Sequence, residues 1–298
     1  MLGLDRPPLP SPPSPGGVRR IPCAVPDFDY FTGGFPAGSV VLLLGEPGAG
    51  HVEFALTSAV GLMRHAEAPE DHPLRAGRAP GPIVLPTGVL YISLTRTRDQ
   101  VLTEIRAAFD TPYPEAVERH LSFRDLSAAY FRSTPVPESW SEVPGPLDGR
   151  VRSALGSHRG PDDPLGAVAG ALDDDAAGKV VILDSLGDLV TRPGIDLGEL
   201  LTFLKGLRRR AKVWDGLVYL LLPRGIATPP LEQAIGDSVD GILSFGWSTA
   251  LGRTHRERTM AIERFLPVLA HVAEENQGRF VVRVQARTGL VTTQHERL

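Results

Sequence analysis

The sequence has only one cysteine, Cys23, in 298 residues. A lone cysteine forms neither an internal disulfide nor a cluster of thiolate metal ligands, and it is typical of a protein from a reducing compartment. No run approaches the roughly eighteen apolar residues that a membrane-spanning helix needs, and the first residues lack the apolar core of a signal peptide. We therefore expect a cytoplasmic protein without a membrane partner.

Lysine is almost as scarce, since arginine supplies 28 of the 31 cationic side chains. The net charge of -4 gives no overall attraction to polyanions, which argues against a nucleic-acid partner. One local cationic cluster stands near the end of a predicted helix and consists of Lys205, Arg208, Arg209, Arg210 and Lys212. This cluster is either a solvated helix end that complements the helix dipole or a nucleic-acid contact without an aromatic platform.

The composition is otherwise that of a globular protein, with 42% hydrophobic residues. Residues 1–20 contain six prolines and little that could pack, so we predict a disordered tail there. Residues 21–298 are predicted to form a single domain, with Pro- and Gly-rich loop insertions near 66–88 and 133–150. Trp140 lies in the second insertion, where its side chain is either exposed as an anchor for a protein partner or buried in the core.

Apolar runs alternate with segments of helical periodicity, which predicts a parallel sheet with crossover helices. The predicted buried strands are 39–44, 89–94, 179–184, 217–222 and 241–245, with a weaker strand near 120–123. The predicted helices are 51–65, 100–109, 165–172 and 197–212. Residues 259–262 and 279–285 alternate between apolar and polar side chains, which predicts antiparallel strands at one edge of the sheet.

A glycine-rich loop joins the first predicted strand to the first helix. It reads Gly45, Glu46, Pro47, Gly48, Ala49, Gly50, His51, Val52. The glycines allow a tight curl in which backbone N–H groups converge on a phosphate, and the following helix adds its N-terminal dipole. These residues, with Asp184 at the end of a later strand, form our candidate site for ATP or ADP.

The loop departs from the P-loop pattern at two positions that carry chemistry. His51 stands where that pattern has a lysine, and an imidazole is mostly neutral at cytoplasmic pH. Loss of the charged contact weakens binding by about 10- to 150-fold. Val52 replaces the hydroxyl that helps to hold Mg²⁺, so a role for Mg²⁺ is left open. A tight strand-to-helix turn that binds no nucleotide is the alternative interpretation.

Residues 28–48, with a Gly-Gly-x-Pro-x-Gly motif before the first strand and the loop, resemble the start of the RecA/RadA/KaiC-like ATPase core. The degenerate loop and the arginine- and proline-rich context resemble the haloarchaeal KaiC-like branch called HTR-like. The resemblance implies a RecA-like P-loop core, an α/β fold whose mostly parallel, twisted sheet is flanked by helices and has an antiparallel edge. It also implies a homo-oligomer as one possible assembly.

The same resemblance locates three further positions of the ATPase site. Thr95 and Arg96 stand where the family has an acidic pair, so no carboxylate there can act as a general base, and a plain solvent-facing loop is the simpler interpretation. Asp184 matches the carboxylate that orients Mg²⁺, or else it caps the following turn. Arg264 is near the position of a basic residue that reaches a neighbouring subunit, although the motif around it is incomplete.

The loss of the lysine, the hydroxyl and the acidic pair together predicts a pseudo-ATPase. The leading hypothesis is a regulatory or signalling module that binds nucleotide weakly or not at all and docks an unidentified protein partner. One alternative is a slow ATPase in which Arg96 or Arg98 replaces the lysine. The other is a pure interaction scaffold whose loop never meets phosphate.

Overall fold

The computed structural model describes residues 17–74, 81–111, 113–132, 134–140, 163–249, 256–270 and 279–296. The strands are β1 Arg20–Ile21, β2 Phe35–Pro36, β3 Ser39–Gly45, β4 Val89–Ser93, β5 Leu121–Asp125, β6 Val180–Asp184, β7 Leu217–Pro223, β8 Gly241–Thr249, β9 Arg256–Arg264, β10 Arg279–Gln285 and β11 Gly289–Glu296. The helices are α1 Phe28–Thr32, α2 His51–Glu67, α3 Arg98–Ala108, α4 Tyr113–His120, α5 Ser127–Phe131, α6 Pro164–Asp175, α7 Leu186–Thr191, α8 Leu197–Trp214, α9 Pro229–Asp237 and α10 Leu266–Leu269. A short 3₁₀ turn covers Glu138–Trp140.

Nine strands form one mixed sheet in the order β11-β10-β9-β8-β3-β7-β6-β4-β5. The six strands from β8 to β5 run parallel, and β9, β10 and β11 continue the sheet antiparallel. The central strands are apolar on both faces because helices cover both faces of a parallel sheet. The predicted α/β fold with an antiparallel edge is therefore confirmed.

Each face of the sheet has its own core. The core beneath α2 includes Phe54, Tyr219 and Phe245, and it extends over the antiparallel strands through Met260 and Phe280. The opposite core lies beneath α6, α8 and α9 and is built mainly from leucine and valine. The same strands supply both cores, because successive side chains point to opposite faces.

Residue 20 belongs to a strand, although the sequence placed it at the end of a disordered tail. Arg20 pairs with Pro36 in the small sheet β1–β2 and is only 2% exposed. Its guanidinium donates to the carbonyl oxygens of Thr32, Gly34 and Pro267, so it joins β1 to α1 and α10. Residues 1–16 of the predicted tail lie outside the described residues.

The two predicted insertions have little regular structure in their described parts. After α2 ends at Glu67, residues 68–74 and 81–88 contribute only an isolated bridge between Arg20 and Ile83. In the second insertion, Trp140 is 77% exposed, so it does not belong to the core. Residues 141–150 lie outside the described residues. Across the described parts of the chain, no helix combines the length and apolar character needed to cross a membrane.

Candidate functional site

The glycine-rich loop lies at the carboxyl end of β3, in the middle of the sheet, where α/β proteins place their ligands. Gly45 is in register with Pro223 of β7 and Phe245 of β8. Gly48 and Gly50 have φ angles of +70° and +117°, which side chains other than glycine rarely adopt. The loop therefore has the tight, left-handed curl that its sequence predicts.

Most carbonyl oxygens of the loop are hydrogen-bonded, whereas several of its backbone N–H groups are not. Five of its carbonyl oxygens accept hydrogen bonds: that of Glu46 from Ala49 within the loop, and those of Gly45, Pro47, Gly48 and Gly50 from residues outside it. The backbone N–H groups of Gly48, Gly50, His51 and Val52 have no acceptor among the described residues. Because four N–H donors of the loop remain free at the positive end of α2, the loop has the electrostatics of an anion site.

His51 lies inside the loop and does not extend outward as a P-loop lysine would. A Cβ atom added to Gly45 would lie 2.1 Å from His51 Nδ1, so the imidazole lies directly against the Gly45 backbone. His51 is 7% exposed, and Nδ1 has no hydrogen-bond partner among the described residues. Burial lowers the pKa of the imidazole, although the charges of Glu53 and Asp184 oppose the shift. The imidazole is therefore neutral at pH 7.

Two side chains of the β8–β9 hairpin hold the loop from the antiparallel side. Trp247 Nε1 donates to the carbonyl oxygen of Pro47 at 3.2 Å, and Arg258 Nε donates to that of Gly48 at 2.8 Å. The two residues are cross-strand partners, and the Arg258 guanidinium lies 4.8 Å from the centre of the Trp247 ring. Arg256 lies 5.2 Å from the same ring. Sequence reasoning missed these residues, because nothing in the local pattern indicates that β9 returns to the loop.

Asp184 is engaged by its own chain at the end of β6. Its Oδ2 atom accepts a hydrogen bond from Tyr91 Oη at 2.7 Å and is ion-paired with the Arg96 guanidinium, whose Nη2 and Nε both donate to it, Nε at 2.9 Å. Arg96 Nη2 also donates to Tyr91 Oη at 2.6 Å, which closes a three-residue network. Asp184 does not cap the next turn, because that role belongs to Ser185 at the start of α7.

The position of Arg96 corrects the prediction of a solvent-facing loop after β4. Its side chain is 26% exposed, and it contacts Asp184 on one side and Glu104 on the other. Burial lowers the pKa of Arg96, but the charges of Tyr91 and Asp184 outweigh this effect and raise it above its usual value. Arg96 is thus a permanent cation bound to Asp184.

The residues present do not fit a Mg²⁺ site. Val52 offers no oxygen ligand, and the Asp184 carboxylate is already neutralised by Arg96. Within the described ranges, no group of three or more His, Cys, Asp or Glu side chains is arranged to hold a metal ion. The open N–H groups of the loop, in contrast, suit a phosphate without a metal.

The remaining cationic candidates are held by neighbouring groups. Arg264 pairs with Asp237 and donates to the carbonyl oxygen of Val239. Arg98 is at the start of α3, 3.9 Å from Glu118.

The cationic cluster on α8 is also largely paired. Arg208 and Lys212 both pair with Asp240, and Arg210 pairs with Asp173. Only Lys212 lies in the last helical turn. These pairs account for most of the cluster without a nucleic acid.

No protein-family model matches the sequence, and no curated protein matches it in sequence. Solved structures do match. The KaiC-like protein PH0186 of the hyperthermophilic archaeon Pyrococcus horikoshii superposes with a TM-score of 0.59 at 16% identity, over 93% of this chain and 100% of that one. The flagellar accessory protein FlaH of Methanocaldococcus jannaschii gives a TM-score of 0.59 at 14% identity, over 93% of this chain and 99% of that one. This chain therefore has the RecA/KaiC-like P-loop fold over nearly its whole length.

Proposed function

We propose that this protein is a non-hydrolysing member of the RecA/KaiC-like fold group that acts as a regulatory or signalling module. The contact between Arg96 and Asp184 carries the proposal. In the resemblance to the ATPases, Arg96 stands in the acidic region where a general base is expected and Asp184 at the metal position. A cation at the first position neutralises the carboxylate at the second, so both functions are lost through one ion pair.

The glycine-rich loop supports weak, Mg²⁺-independent binding of ATP or ADP in this proposal. Its free N–H groups remain open, whereas His51 is neutral and turned inward. A nucleotide bound there meets hydrogen-bond donors but neither a metal nor a base. Such a site senses a nucleotide without consuming it.

Phosphate release from ATP tests the proposal. Wild-type protein is expected to match a Gly50→Asp variant, which places a carboxylate at the loop and strains a glycine with φ of +117°. Circular dichroism of both proteins checks that they are folded. Turnover of wild type above this variant would sink the proposal and favour the slow ATPase.

A restoration experiment tests the same reasoning from the opposite direction. The triple variant His51→Lys, Val52→Thr and Arg96→Glu returns the three missing groups, and we expect it to release phosphate above the wild-type background in Mg²⁺. Each single variant is expected to stay at background, because one restored group leaves the other two absent.

A pure interaction scaffold is the second candidate, and the exposure of Trp140 favours it. A tryptophan that is 77% exposed is a typical anchor of a protein interface. Calorimetry with ATP and ADP, each with and without Mg²⁺, separates the candidates. Heat that is independent of Mg²⁺ supports the nucleotide-binding module, and no heat with either nucleotide supports the scaffold.

A further inference from the structure

Two arginines at the loop differ from most of the charged side chains described above. Arg256 and Arg258 form no ion pair with any described residue, and within the described part of the chain their only partners are the Trp247 ring and the carbonyl oxygen of Gly48. Arg96, Arg208 and Arg264, in contrast, all pair with carboxylates. Two arginines without an ion pair among the described residues therefore lie beside Trp247, and one of them contacts the glycine-rich loop, which has lost its own cation.

The geometry of Arg258 leaves its charge available. Its Nε atom donates to Gly48, and the two Nη groups have no acceptor among the described residues. The contact with Trp247 fixes the guanidinium plane beside the loop, and Trp247 is itself fixed by its bond to Pro47. A guanidinium that is held in place loses little side-chain entropy when it binds a phosphate.

The interior of the loop shows a second feature that points to a ligand. His51 Nδ1 lies against the backbone of Gly45, is buried and has no partner in the described part of the chain. A buried polar atom without a partner costs free energy. A ligand group that forms a hydrogen bond with the imidazole on binding would offset this cost.

We propose that Arg258 replaces the missing loop lysine in cis, and that Arg258, Arg256 and the free N–H groups of the loop bind a polyphosphate chain without Mg²⁺. The proposal rests on the proposed function, because it names the cation of the same site. The cation comes from β9, on the antiparallel side of the sheet, and not from the first turn of α2. Two arginines neutralise the charge that a metal otherwise balances.

Titration calorimetry in EDTA tests the proposal, with ADP and inorganic tripolyphosphate as separate probes. Arg258→Gln should weaken the binding of both probes by roughly tenfold or more, as expected for the loss of a charge-assisted hydrogen bond. Arg258→Lys should recover most of the affinity, because it keeps the charge but not the Nε contact. Arg209→Gln is the matched control, since it removes an exposed arginine from α8, which packs on the other face of the sheet, and we expect unchanged binding.

The outcomes are distinct. Equal affinity for ADP and tripolyphosphate supports the proposal and shows that the site recognises the phosphate chain alone. Tighter binding of ADP also supports it and shows that the nucleoside contributes to binding. Binding that falls in Arg258→Gln and stays low in Arg258→Lys overturns the charge argument in favour of a structural role for the Gly48 contact. Binding that is abolished by His51→Gln but kept in Arg258→Gln makes His51 the cation and overturns the proposal.

An absence of binding in wild type at millimolar concentrations of either probe also overturns it. That result leaves the absence of hydrolysis intact, because phosphate release measures it independently. The failure of this inference and the failure of the proposed function are therefore separable.

Discussion

Replacing Arg96 with methionine removes the cation that lies against Asp184 and leaves a carboxylate with Tyr91 as its only described donor. Removal of one partner from a fully buried ion pair costs about 3–5 kcal/mol, and exposed pairs contribute about 0–1 kcal/mol. The side chains here are 26% and 14% exposed, which places the pair between these limits. We expect a coupling free energy between Arg96 and Asp184 of about 2 kcal/mol.

A double-mutant cycle measures this quantity. Urea denaturation gives the free energy of unfolding of wild type, Arg96→Met, Asp184→Asn and the double variant, and the coupling energy is the amount by which the two single effects exceed the double effect. The pair of Arg106 and Glu118 is the control, because its side chains are 51% and 37% exposed and solvent screening should leave its coupling energy well below that of Arg96 and Asp184.

A coupling energy below about 0.5 kcal/mol for Arg96 and Asp184 would refute the reasoning, because a neutralising contact must depend on both charges. Asp184 would then be available to a metal, and the main support for a non-hydrolysing protein would be lost. Equal values for the two pairs would show that burial adds nothing to the contact.

Three further predictions concern stability. Burial raises the pKa of Asp29 from 3.8 to about 6. Between roughly pH 4 and 6 the folded state therefore binds the proton more tightly than the unfolded state does, so the free energy of unfolding falls as the pH rises. Wild type should lose about 3 kcal/mol relative to Asp29→Asn across this window in urea denaturation, and parallel curves would contradict this. Gly34→Ala should lower the free energy of unfolding by more than about 3 kcal/mol, because the new Cβ lies 2.7 Å from a backbone oxygen. Gly194→Ala is the control: its Cβ meets nothing within 4 Å, and it should lower the free energy of unfolding by about 1 kcal/mol in melting experiments. Asp240→Ala should lower the free energy of unfolding by about 2–3 kcal/mol, since this carboxylate accepts a hydrogen bond from the Val40 N–H and pairs with two cations. The control Asp173→Ala, at an exposed carboxylate, should change it by less than about 0.5 kcal/mol. Similar losses in the two variants would argue against a stabilising role of the contacts around Asp240.

Much of the sheet could be predicted because its strands are marked by continuous apolar runs. The predicted strand 39–44 corresponds to Ser39–Gly45 and the predicted strand 217–222 to Leu217–Pro223. The short elements were missed for the opposite reason. Helices such as Phe28–Thr32 and Leu186–Thr191 have too few residues to show a periodicity, and the last strand, Gly289–Glu296, is largely polar in sequence.

The candidate site divides in the same way. Gly48 and Gly50 were assigned to a phosphate loop from their spacing, and their positive φ angles agree with that geometry. A role of the loop in nucleotide binding stays a prediction. The engagement of Asp184 by Arg96 could not be predicted, since the two residues lie 88 positions apart and meet only because β4 and β6 are neighbours in the sheet.

The sequence alone determined which groups are missing from the site, because the absence of a lysine at 51, a hydroxyl at 52 and carboxylates at 95 and 96 is a matter of residue identity. Only the tertiary structure decided what takes their place. The sheet brings Arg96 onto Asp184, and the return of β9 brings Arg258 onto the loop. Contacts between distant residues depend on strand order and register, which local periodicity does not encode.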